Sequence, residues 1–244
     1  WGPGSLFAIP INARHQHFNG SGSEPARIAS LSNLPIIMNL FHNESFIFEN
    51  AHTFQDRVGD DKYFQGEGEF RSVKPGRHQW ETNFVPDLVS FQLPEWQARG
   101  AGGRNIQFCL ADSTMHAHIS EFGIGRYKKA HAHGPGAHVI IMSGEGYTLM
   151  WPEGEEPRRY EWREGSMIVP PNLWFHQHFN PGKEPVKFLA FHAEGTSKYE
   201  GIMKGTDGRT SVRLGGTSID HEDEDPAIRK LFKEEYLLKA FIIE

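Results

Sequence analysis

Four pairs of histidines separated by a single residue constrain this chain more than any other feature: His15/His17, His116/His118, His131/His133 and His176/His178. In a β-strand, side chains two apart share a face, so each pair can place two imidazoles on one side of a sheet. The pattern predicts β structure around an imidazole-lined interior. Any one pair would also serve as surface polarity or as hydrogen-bonded core groups. Four pairs among 14 histidines point to a cavity.

A repeat sets the organisation. Gly4–Asn19 reads GSLFAIPINARHQHFN and Gly165–Asn180 reads GSMIVPPNLWFHQHFN, with half of the positions identical. The likeness continues from Glu24-Pro25-Ala26-Arg27 to Glu184-Pro185-Val186-Lys187. Two copies of one module are therefore expected. The second has strand-like sequence ahead of it, and the first has three residues. Residues 1–50 are thus expected to be the C-terminal half of a first module whose upstream half is absent, 51–85 a linker with a helix, 86–200 one complete barrel, and 201–244 a tail. A half-barrel exposes strand edges, so another chain, or the second module, is expected to cover them.

Within that frame, Leu88–Leu93, Ile106–Leu110, Met115–Phe122, Val139–Met142, Gly146–Trp151, Ser166–Val169 and Val186–His192 read as short strands. The chain's 26 Gly and 15 Pro supply frequent turns between them. Asn43–Tyr63 reads as a helix with irregular flanks, and Phe64–Pro86 as strand pieces or a linker. Asp225-Pro226 opens a C-terminal helix, with Ile228, Leu231, Phe232 and Leu238 at helical spacing. Strands this short favour an all-β sandwich or closed barrel.

Composition excludes several classes of function. The formal charge is −6 with no basic stripe, so neither a nucleic-acid partner nor an anionic membrane surface is expected. No apolar run approaches the ~18 residues of a membrane span, and Trp1–Asn12 lack the features of a signal peptide. The lone Cys109 leaves no internal disulfide and fits a reducing compartment, so a cytoplasmic location is expected.

The chemistry concentrates between residues 125 and 180. Gly125 is followed after five residues by His131-Ala132-His133, and the turn Gly134-Pro135-Gly136 leads to a strand ending at Gly144. Gly165 is followed after five residues by Pro171, then His176 and Asn180. Two histidines on one strand and a third on a neighbour form a facial set with open positions for water or substrate. Imidazole suits Fe, Zn, Cu and Ni alike. The spacing resembles the two motifs of the cupin superfamily, with Leu173 standing where glycine is usual, and the resemblance covers roughly residues 85–195. It implies a jelly-roll (double-stranded β-helix) barrel with a partial second module, in which His131, His133 and His176 bind one divalent metal ion.

The cupin pattern usually adds a glutamate to these ligands. Counting back from Gly144, that position holds Ala137. His138 is the alternative, but a one-residue slip would turn every side chain of the strand to the opposite face; Ala137 is expected to face in and His138 out. The acid-free trio and the doubled module resemble the gentisate and salicylate 1,2-dioxygenase group. That resemblance implies Fe(II), O2 and a small oxygenated, possibly aromatic, carboxylate. Mn, Zn or Ni in a non-redox isomerase, hydrolase or decarboxylase is a second class, and a ligand-binding cupin subunit a third. A homo-oligomer, or pairing with a chain that completes the first module, is expected.

Around the metal, His178 shares the face of His176 and suits a proton shuttle or hydrogen-bond donor to substrate, although a histidine bonded into the barrel wall gives the same pattern. Trp174 could form an aromatic wall or plain packing. His116, His118 and Gln107 are candidate substrate contacts. Arg104 could hold a carboxylate bidentately or lie in solvent.

Overall fold

Gly144 shows how the barrel is assembled. It separates β8 (His138–Ser143) from β9 (Glu145–Trp151), yet these strands belong to different sheets. The turn is a corner at which the chain crosses between layers. Its φ of 85° suits glycine, and a Cβ would come within 3.0 Å of the Pro185 carbonyl and closer still to the Val186 side chain.

The computed structural model describes residues 1–55, 57–58, 60–74, 77–96, 101–112, 115–134, 137–192 and 209–241. Ahead of β8 come β1 (Leu6–Phe7), β2 (Glu69–Lys74), β3 (Arg77–Thr82), β4 (Phe84–Val85), β5 (Arg104–Leu110), β6 (His116–Phe122) and β7 (Arg126–Tyr127). After β9 come β10 (Arg158–Arg163), β11 (Met167–Ile168), β12 (Phe175–Asn180) and β13 (Val186–His192). One sheet has the order β10-β9-β12-β7, the other β11-β8-β13-β6-β5-β3-β2. Strands β6 to β13, divided between two four-stranded layers in these orders, form the double-sheet jelly roll. Beyond β6 the larger sheet is extended by β5, β3 and β2, with β3 and β5 parallel.

Period-two alternation separates an interior from two outer faces. Ala137, Val139, Ile141, Phe122, Phe188 and Ala190 from the larger sheet pack against Met150 and Trp162 from the smaller one. Outside the larger sheet, Ile106, Phe108, Ala117, Ile119 and Leu189 are covered by Leu6, Val85, Leu88 and Leu93. Outside the smaller sheet, Tyr147, Leu149 and Phe179 are covered by Ile228 and Phe232 of the C-terminal helix α3 (Pro226–Phe241). Each of those two side chains contributes about 1.5–3 kcal/mol to docking the helix. No helix among the described residues is long and apolar enough to cross a membrane.

Two sequence expectations are corrected. Leu88–Leu93 is not a strand: the Asp87 side chain accepts from the Val89 amide and turns the backbone, leaving Leu88 and Leu93 as an apolar cover. The main helix before the linker is α1 (Leu34–Phe41), with Pro35 in its first turn and His42 ending it in the left-handed region. The segment expected to be helical holds only the short α2 (Glu44–Phe48) and one 3-10 turn at Asp61–Tyr63. Pro135, Gly136 and the expected boundary at residues 200 and 201 lie outside the described residues.

The two copies of the repeat begin alike and then diverge. Gly4 and Gly165 have φ of 79° and 78°, and each is followed by a two-residue strand, β1 and β11. In the second copy His176–Asn180 then runs as β12 between β9 and β7. In the first copy, residues 15–19 form no strand and are exposed.

Candidate metal centre

Strand β12 carries the site. His176 and His178 stand opposite Met150 and Thr148 of β9 and face the interior, whereas Phe175 and Phe179 face α3. His131 reaches His176 through an isolated bridge: its amide donates to the His176 carbonyl at 3.1 Å, and the His176 amide donates back at 2.9 Å. His133 follows two residues later, its carbonyl accepting from the Leu173 amide at 3.2 Å. Ring centroids lie 4.1 Å (His131–His176), 5.0 Å (His133–His176) and 5.4 Å (His131–His133) apart.

These residues fit a metal ion. One nitrogen from each ring lies within 4.8 Å of the others. Two nitrogens on one ion are at most about 4.2 Å apart, twice a bond of ~2.1 Å, so small ring rotations bring the trio into range. The Nδ1 of His176 is 3.2 Å from the Trp174 carbonyl, and that of His131 is 3.4 Å from the Lys129 carbonyl. A carbonyl only accepts, so each Nδ1 carries the proton and each Nε2 bears the lone pair that a metal ion would need. No carboxylate joins the group among the described residues. Ala137 is buried in the interior with Val139 and Ile141, and His138 pairs with Phe191 on the opposite face. The observed register is the one derived from the turn.

His178 extends the site inward. Its Nδ1 is 2.8 Å from the Thr148 hydroxyl, which also accepts from the indole of Trp162 at 2.9 Å. The Thr148 hydroxyl thus holds the His178 ring in place, its centroid 5.8 Å from that of His176.

The other expected residues separate into two groups. His116 and His118 share the inward face of β6 with Phe122, and Gln107 lies beside His118 and accepts from Gln79 at 3.1 Å. Arg104 lies on the opposite face of β5 from Gln107, half-exposed and 3.9 Å from Glu121; the structure does not bring it to the histidines. An odd number of steps along a strand reverses the face, so Arg104 and Gln107 point to opposite sides of β5. Trp174 packs against the interior cluster with the Arg158 guanidinium 5.5 Å above its ring.

Two buried residues escaped the sequence reading. His192, at the end of β13, lies 3.0 Å from His118 (Nε2 to Nδ1), stacks on His116 at 4.9 Å, and is 6.1 Å from His133. It links the β6 pair to the trio. Its parity with Phe188 and Ala190 was the available signal. Lys128 is turned inward by a bulge: between the pairs Tyr127–Phe179 and His131–His176, Lys128, Lys129 and Ala130 face only Gln177 and His178. Cys109, by contrast, is held as a thiol: burial pushes it up to about 11, with Glu81 adding to the effect.

The metal-bearing stretch is clamped from its other side. The Ala132 amide donates to the Thr217 carbonyl at 2.9 Å, the Ile219 amide to the Ala130 carbonyl at 2.9 Å, and Lys129 pairs with Asp220 at 2.8 Å. The hydrogen bond from Lys129, then that from Ser211, holds the Asp220 carboxyl below its ordinary value. On the outer face, Gln177 donates to the Lys128 carbonyl at 2.9 Å and to Glu224 at 3.0 Å.

Fold and site together define a class: a double-sheet jelly roll with a three-histidine group able to hold a metal ion. No family model matches the sequence. No curated protein matches it. Among solved structures, an oxalate decarboxylase is similar at 15% identity, over 71% of this chain and 45% of that one, with a TM-score of 0.40. The Lactobacillus farciminis oxalate decarboxylase, in its formate complex, gives 17%, 68%, 49% and 0.39. The Schizosaccharomyces pombe Cnp3 cupin domain gives 17% identity over 48% of this chain and 80% of its own, with a TM-score of 0.37. The chain spans about half the length of the two decarboxylases it matches. The strand order, not these likenesses, assigns the fold.

Proposed function

We propose that this protein is a metal-dependent oxidoreductase that holds one Fe(II) through His131, His133 and His176 and uses O2 on a small oxygenated, possibly aromatic, carboxylate. The observation that carries the reading is a trio that no carboxylate joins among the described residues, with Ala137 where the cupin pattern usually has one. Three neutral imidazoles leave the charge of a divalent ion undiminished, which favours an anionic substrate. Bound iron would supply the one-electron chemistry that O2 requires. The chain itself orients the ligand rings through the Trp174 and Lys129 carbonyls, places the His178 ring beside them, and lines the interior with Val139, Ile141, Phe188 and Met150, which exclude water.

The test is an oxygen-electrode trace on protein loaded anaerobically with Fe(II). O2 uptake with gentisate, salicylate, hydroquinone or a close analogue, lost in His176→Ala, is the expected result. Stoichiometric iron without O2 uptake contradicts the reading. Turnover without O2 uptake, or with Mn, Zn or Ni in its place, assigns the site to non-redox chemistry instead.

We propose also that a second chain covers the N-terminal region. Phe18, Leu40, Phe48 and Ile36 expose 57–75% of their surfaces there, and several large apolar side chains left in water favour a covering partner. Light scattering on the purified protein is expected to give a mass above the 27.7 kDa of one chain; a strict monomer contradicts this.

A further inference from the structure

The backbone of His131 is paired on both sides. On one side it bridges His176, and on the other it bridges Ser218, in a strap formed by residues 210–220. The contacts of the strap centre on Ala132, which stands between His131 and His133. The Ala132 amide donates to the Thr217 carbonyl at 2.9 Å, and the Thr217 hydroxyl donates to the Ala132 carbonyl at 2.6 Å. Both backbone polar groups of Ala132 therefore meet one strap residue. Further back, the Ile219 amide donates to the Ala130 carbonyl at 2.9 Å, and the Lys129 ammonium meets Asp220 at 2.8 Å. The Lys129 carbonyl is the group that faces His131 Nδ1 at 3.4 Å, so the strap also holds the residue that orients a ligand ring.

The strap is closed on itself. The Val212 amide donates to the Ser218 carbonyl and the Ser218 amide to the Thr210 carbonyl, each at 2.9 Å. The Ser211 hydroxyl donates to the Asp220 carboxylate at 2.6 Å. Gly216 lies so close to the opposite limb that a Cβ there would stand 2.1 Å from the Thr210 carbonyl oxygen. These internal contacts preform an edge that presents Thr217, Ile219 and Asp220 to residues 129–132. Resting on the reading that the trio holds a metal ion, we infer that this strap is part of the metal centre. Thr217 is a positioning residue that fixes the backbone between two ligands, and strap docking and metal binding strengthen each other. Partners that fix the orientation of a ligand are worth roughly 10–100-fold in metal affinity. Linkage makes the effect reciprocal: the factor that the docked strap adds to metal affinity is the factor that bound metal adds to docking.

The test measures Zn(II) affinity by competition with a chromophoric chelator, and amide hydrogen exchange with and without zinc. Thr217→Val removes the hydroxyl and keeps the Thr217 carbonyl. Gly216→Ala strains the strap at Thr210, away from the ligands. Both variants are expected to bind zinc about tenfold more weakly than the wild type, and Thr217→Ser is expected to restore the affinity. Zinc is expected to slow exchange of the Ile219 amide about tenfold in the wild type. A merely structural strap would lower the melting temperature of the metal-free variants and leave zinc affinity at the wild-type value. That result, or an Ile219 amide whose exchange zinc does not slow, overturns this inference alone. A wild type that binds no zinc overturns the trio and this inference together. If one variant does not fold, the other carries the comparison.

Discussion

The Thr148 hydroxyl stands 2.8 Å from His178 Nδ1 and fixes the orientation of that ring. Thr148→Val removes the hydroxyl at nearly constant volume. Metal content is expected to stay at the wild-type value while turnover falls about tenfold as His178 loses its fixed orientation. The Trp162 indole loses its partner at the same time, costing about 1–3 kcal/mol, or roughly 2–12 °C in melting temperature. Elemental analysis, steady-state rates and calorimetry check these outcomes.

Leu173 has a φ of 62° and is exposed, in the turn whose amide holds the His133 carbonyl. A left-handed conformation costs a non-glycine residue about 1–2 kcal/mol, partly offset by the greater chain entropy of glycine. Leu173→Gly is expected to raise the melting temperature by about 1–4 °C with metal binding intact. A lowered melting temperature contradicts this account of the turn.

His138 faces away from the trio. His138→Ala is expected to leave the metal-to-protein ratio unchanged, whereas loss of metal would show that the register of β8 had been misassigned.

Glu224 couples acid stability to the site. Burial pushes its carboxyl up, but hydrogen bonds from His221, Tyr127 and Gln177 outweigh this and hold it below its ordinary value of 4.5. A depressed folded pKa contributes stability that is fully present above about 4.5 and lost as pH falls through the folded value. Glu224→Gln is therefore expected to melt several degrees below wild type at pH 7 and close to it at pH 3. An equal deficit at both pH values contradicts the coupling.

Sequence periodicity reveals what period two dictates. His131, His133 and His176 were legible because the spacing of the motifs fixes both strand and face, and Ala137 because a turn glycine fixes the register. Lys128 was not legible. Lys128-Lys129 reads as a solvated pair, and only the bulge sends one inward and leaves the other on Asp220. His192 lacked a partner two residues away and acquired one through β6. Thr148 gained its role from a strand pairing across some thirty residues, which local pattern does not encode.

The most direct test of the account is metal stoichiometry, measured by elemental analysis on wild type and on His131→Ala, His133→Ala and His176→Ala. The account predicts one divalent ion per chain in the wild type and its loss in each variant, with the fold retained by circular dichroism. Undiminished metal in folded His176→Ala would contradict it.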